Sequence, residues 1–137
     1  MVFQGPCNYK EAAHPYDYIN SLIIDLRTCE AVSLSDLYTI DIGFVEIVKS
    51  SFREQIRERL AEMTGASIDN IPESLEDYLP WVSDASLLKG LVGTDEQNGY
   101  PCFMTDTAIG ICFFLSHARG DHVEILINYD DLVLFEV

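Results

Sequence analysis

Basic residues are scarce in this sequence. Eight Lys and Arg stand against 23 Asp and Glu, a formal charge of −15 over 137 residues. So acidic a surface repels phosphate backbones, which removes nucleic acid from the expected partners. It also repels anionic lipid headgroups, and it would attract cations or a basic protein. Zinc-type cysteine spacing is missing: Cys7, Cys29, Cys102 and Cys112 contain no C-x-x-C pair. An even count permits disulfides without requiring them, and buried free thiols are the plainer expectation, for Cys112 above all. The chain lacks H-E-x-x-H, G-x-S-x-G, G-x-G-x-x-G and P-loop patterns, so neither catalysis nor a bound metal or cofactor is expected. The longest apolar run near the C-terminus, Ile109 to Leu115, is far too short to cross a bilayer. No basic start followed by a hydrophobic segment marks a signal peptide, and no membrane insertion by this chain is expected. The opening VFQGP resembles the remnant of a protease site, so 1–6 receive no structural weight.

What is present begins with one long amphipathic helix. Phe44, Val48, Phe52, Ile56, Leu60 and Met63 recur every three or four residues and fall on one stripe, widened by Val45 and Ile47. The opposite face carries Glu46, Lys49, Arg53, Glu54, Arg57, Glu58 and Glu62. Asp41 or Gly43 suits the N-cap, and Gly65 suits the stop. From Phe44 to Thr64 four acids (Glu46, Glu54, Glu58, Glu62) balance four bases (Lys49, Arg53, Arg57, Arg59), so the −15 belongs to the other segments. At 48% hydrophobic composition the chain fits a single domain with one core.

Strands are expected at both ends. Tyr16 to Leu26 reads as one long strand, Ala31 to Leu34 as a short return, and Ser35 to Tyr38 as a helical turn before the main helix. Cys102 to Thr105 and Ile109 to Leu115 flank Asp106-Thr107-Ala108 as a hairpin, and pairing Thr105 with Ile109 would set Cys102 opposite Cys112. Val123 to Tyr129 alternates as another strand, and Val133 to Val137 reads as a last edge strand. Between Ala66 and Gly99 the pattern weakens to short helices or a functional loop, with Glu73 to Tyr78 the best helical candidate. The expected fold is therefore α+β: one long amphipathic helix packed on a mostly antiparallel sheet built from N-terminal and C-terminal strands.

Few residues stand out chemically. Tyr78 and Trp81 flank Pro80 in the acidic stretch; such a cluster can anchor a partner, although a lone Trp more often plugs a small core. His117 and His122 bracket Asp121 on a turn, short of the three ligands a metal needs. His14, near Asp17, could pass for an oriented general base, but no nucleophile accompanies it. The candidate partner surface is Tyr78, Trp81, Tyr100, His117, Arg119 and His122.

Several short motifs follow one another in a recognisable order. They are Ala12-Ala13-His14-Pro15, Asp25-Leu26-Arg27-Thr28-Cys29-Glu30, Leu34-Ser35-Asp36-Leu37-Tyr38, Met104-Thr105-Asp106-Thr107-Ala108 and Ile127-Asn128-Tyr129-Asp130-Asp131-Leu132. In this order the chain resembles the family of domains found at the C-terminal end of the ectodomain of RsiV-type lysozyme-sensing anti-sigma factors and beside the catalytic domain of PdaC-type peptidoglycan deacetylases. The resemblance runs from Ala12 to about Leu132. Cys29 and Ala108 stand where that family prefers Gly, so each turn is expected either to carry strain or to adopt another type. The loop from Ser116 to His122 is shortened and has neither Pro nor Tyr. The resemblance implies an extracytoplasmic, non-catalytic domain that senses or binds a basic protein such as lysozyme. It also allows an accessory domain holding an enzyme on cell-wall glycan. Apart from the resemblance, a small hydrolase using His14 and a nearby acid is a third reading.

The helix assignment predicts that Phe52→Ala costs roughly 3–5 kcal/mol as a core truncation, read from urea melting. A loss below about 1 kcal/mol would place Phe52 outside the core.

Overall fold

The computed structural model describes residues 1–7, 15–73, 75–93 and 99–137, with the His117 side chain set aside. In chain order the elements are β1 Val2–Cys7, β2 Tyr16–Ser21, β3 Ile23–Asp25, β4 Glu30–Val32, α1 Leu34–Leu37, α2 Ile42–Thr64, α3 Asp84–Val92, β5 Cys102–Met104, β6 Ala108–Phe114, β7 His122–Asn128 and α4 Tyr129–Leu132, with 3-10 turns between them. The α+β class stands. One long helix lies with antiparallel strands drawn from both ends of the chain.

Helix α2 forms where its periodicity places it. The Asp41 carboxylate accepts a hydrogen bond from the Phe44 N–H at 3.0 Å, which satisfies one of the donors a helix start leaves open. Gly65 ends the helix at φ 67°, a conformation that costs a side-chain-bearing residue more. Phe44, Val45, Val48, Phe52 and Ile56 are buried. Leu60 is only half-buried and Met63 is 77% exposed, so the apolar stripe outruns the surface that covers it.

The covering surface is the sheet β5-β6-β7, with β6 in the middle. Ile109, Ile111 and Phe113 of β6 and Val123, Ile125 and Ile127 of β7 share one buried cluster with the α2 stripe. An aromatic knot joins them: Phe52 meets Trp81 at 4.9 Å and Phe113 at 5.6 Å between ring centroids, each edge to face. Such pairs add roughly 0.5–1.5 kcal/mol each beyond the area they bury. Lys49 links α2 to α3 through Asp84 at 3.0 Å, a half-exposed pair of small weight.

The alternate residues of β6, Ala108 and Cys112, are buried too, yet lie outside that cluster. Strand β2 touches both β5 and β7, so it crosses the middle strand on the far side, where Ile19 is fully buried. One end of β2 is fixed where the Asp17 N–H donates to Asp121 Oδ2 at 2.8 Å. At the free edge of β7, the Gln55 amide takes a strand's place. Its Oε1 accepts from the Leu126 N–H at 3.0 Å and its Nε2 donates to the Leu126 carbonyl at 2.6 Å.

Five details differ from the sequence expectation. The strand from Tyr16 breaks at Leu22, its halves pairing with β1 and with β4, so the strands of the two chain ends divide among three sheets. Residues 2–6, given no weight on sequence grounds, supply all of β1 but its last residue, Cys7. The β5–β6 register is one residue tighter: Cys102 pairs with Ile111 and Met104 with Ile109. The cause is local, because Thr105 Oγ1 accepts from the Ala108 N–H at 3.0 Å and closes a two-residue loop, Asp106-Thr107. A one-residue slip reverses the face of every side chain, so Cys102 and Cys112 lie on opposite faces and are free thiols. Val133 to Val137 is not an edge strand but a 3-10 turn, Val133–Phe135, with one bridge between Tyr38 and Glu136. The expected helix over Glu73 to Tyr78 shrinks to Glu76–Tyr78, while α3 takes the next stretch, capped by Ser83 and Gly93.

Of the two turns where glycine was expected, only Cys29 is in the left-handed region, at φ 61°. Cys29 is exposed, so its side chain contributes little packing. Relief of left-handed strain, about 1–2 kcal/mol, outweighs the extra chain entropy of glycine, about 0.5–1 kcal/mol. Cys29→Gly should therefore raise stability by roughly 0.5–1 kcal/mol in urea melts. An unchanged or lower midpoint would show that the turn carries no such strain.

Candidate functional site

Of the six expected surface residues, the five whose side chains are described do not form one exposed patch. Trp81 is 7% exposed and packs on Phe52 and Phe113, so it serves the core and cannot anchor a partner. Tyr100 is half-buried; its ring meets Phe113 at 4.6 Å and lies so close to Gly90 that a Cβ there would overlap it. Its hydroxyl is raised above the ordinary tyrosine value by burial. His122 is half-buried at the start of β7, its Nδ1 enclosed without a hydrogen-bond partner among the described residues. Tyr78 and Arg119 do come together: the guanidinium lies 4.8 Å from the ring centroid and donates to the Asp77 carbonyl. His14, the base of the hydrolase reading, falls outside the described residues, as does the His117 side chain.

A different set of residues converges instead. The β5–β6 loop contributes Asp106 and Thr107, and the end of β7 with the start of α4 contributes Asn128, Tyr129, Asp130 and Asp131. Together they line an open cleft of about 420 Å³. Tyr129 ties the two segments: its N–H donates to the Thr107 carbonyl at 3.1 Å and its hydroxyl donates to the Thr105 carbonyl at 2.7 Å. Burial raises the Tyr129 hydroxyl above its ordinary value, the bond to Thr105 opposes this, and the Asp106 charge adds to it. Asp106, Asp130 and Asp131 are all exposed.

Three carboxylates on a fixed frame suit a lysine or arginine side chain, whose charge they would offset without being desolvated first. The lining holds no imidazole or thiol to serve as base or nucleophile. Sequence reasoning passed over these aspartates, because acids are so common here that a pair carries no weight. The signal was positional. Met104 to Ala108 and Ile127 to Leu132, two of the motifs read separately along the chain, are the two walls of the cleft.

Among the described residues no group of His, Cys, Asp and Glu is placed to hold a metal ion, and no helix is long and apolar enough to cross a membrane. Comparison with models of protein families, with curated proteins and with solved structures found no match to the chain.

The two thiols on β5 and β6 are poor nucleophiles. Burial pushes Cys102 up to about 12, with Cys112 adding repulsion, and burial pushes Cys112 up to about 12, with Glu124 adding to it. A thiol in the unfolded chain titrates near about 8.5. The folded state therefore keeps protons that the unfolded chain releases, so this stability is complete below that pH and is lost as pH climbs toward the folded value. Tyr38, Tyr100 and Tyr129, all raised, act in the same direction at the alkaline end. Urea melts at pH 10.5 should show lower stability than at pH 8, with a smaller drop for Cys112→Ala. Equal drops in the two proteins would show that Cys112 does not titrate on unfolding.

Proposed function

We propose that this chain is a non-catalytic binding domain of the cell envelope that takes up a basic protein, lysozyme being the first to test. The single observation behind this reading is the aspartate cleft of Asp106, Asp130 and Asp131, built from two segments about twenty residues apart in sequence. Its charge has the sign a basic partner requires, and the surrounding −15 would steer such a partner toward it. The extracytoplasmic setting rests on the family resemblance of the motifs that wall this cleft.

Calorimetric titration with lysozyme tests the reading. Saturable one-to-one binding that weakens with salt is expected. Exposed ion pairs contribute up to about 1 kcal/mol each, so replacing Asp106, Asp130 and Asp131 together by Asn should weaken binding roughly tenfold or more. Replacing Glu54, Glu58 and Glu62 on α2 by Gln removes the same charge elsewhere and should matter much less. Equal losses in the two triple variants, or no saturable heat, would overturn the proposal. Binding of peptidoglycan fragments in place of lysozyme would favour the glycan-positioning role instead.

A further inference from the structure

The C-terminal half of α2 carries a second concavity, of the opposite character. Ile56 and Leu60 of α2 face Leu115 and Val123 across an open groove of about 260 Å³. Met63, largely in solvent, extends its apolar wall. Leu60 and Met63 are the part of the helix stripe that the sheet leaves uncovered. Two arginines also line the groove, Arg59 from α2 and Arg119 from the turn before β7. They are two of eight bases in a chain with 23 acids, yet neither forms an ion pair with a carboxylate of the described residues. Arg119 is held over Tyr78 and on the Asp77 carbonyl, which fixes its position and leaves its charge unneutralised.

We infer that this groove binds a small amphiphilic carboxylate, with its aliphatic or aromatic chain on the apolar floor and its carboxylate on Arg59 and Arg119. Charge complementarity selects an anion, since two uncompensated guanidiniums flank apolar surface. The long-range field selects a small one. A chain of charge −15 repels a multiply acidic peptide or an anionic membrane, while a single carboxylate meets far less of that repulsion.

Octanoate is the probe, followed by amide NMR shifts of the whole chain. Saturable shifts confined to Leu60, Met63, Leu115, Val123 and their neighbours are expected. Octan-1-ol, which lacks the charge, should bind at least tenfold more weakly. The exposed substitutions Arg59→Gln and Arg119→Gln together should also cost at least tenfold, with an otherwise unchanged spectrum and Tm, whereas Arg27→Gln should cost nothing. Equal affinity for the alcohol, undiminished binding by the double variant, or shifts outside the groove would overturn the inference. So would an acidic, leucine-rich peptide that saturates the groove where octanoate does not.

Discussion

The contact between the α2 stripe and the middle strand β6 governs the rest of the structure. Phe52 and Phe113 meet edge to face, Trp81 packs against both, and Tyr100 packs on Phe113 as well. Because β6 is buried on both faces, it needs cover from two directions. The helix supplies one and β2 the other, which draws the N-terminal strands across a sheet made by the last third of the chain. Residues far apart in sequence are thereby fixed together, among them Asp17 and Asp121. The two concavities at the surface take their walls from what this packing leaves at its margins.

Among the elements legible in sequence are those whose side chains divide cleanly between core and solvent. The period from Phe44 to Ile56 and the alternation of Val123, Ile125 and Ile127 each specify an element and its buried face, because burial of one face sets both. Features decided by single hydrogen bonds were not legible. The Thr105 side chain shortens a loop by one residue, and that slip parts two cysteines which the longer loop would have set opposite each other. The break at Leu22 has a similar origin, since an apolar run reads the same whether it keeps one partner strand or exchanges it for another. Helix α3 was hidden by its brevity: three buried positions, Leu87, Gly90 and Leu91, make too short a period to stand out among polar neighbours.

The candidate sites were hidden for another reason. Neither is a motif. Asp106 and Asp130 gain meaning only when Tyr129 bonds one segment to the other, and Arg59 and Arg119 gain it only once the helix end and the last loop lie together. Charge read along the chain did separate a neutral helix from acidic remaining segments, and the two concavities keep that division. The aspartate cleft belongs to the acidic part, whereas the arginine groove opens against the helix whose charges cancel. One surface can thus attract a cationic protein over long range and still retain, at one place, a preference for a lone anion.

The amide of Gln55 bears on how copies of this protein behave toward one another. An exposed strand edge invites a neighbouring molecule to extend the sheet, the usual first step toward fibres. At Leu126 both backbone groups are already engaged by that amide, so an incoming strand must displace two hydrogen bonds before it makes any there. A single neutral side chain thereby acts as a doorstop at this edge, beside a helix whose own charges cancel.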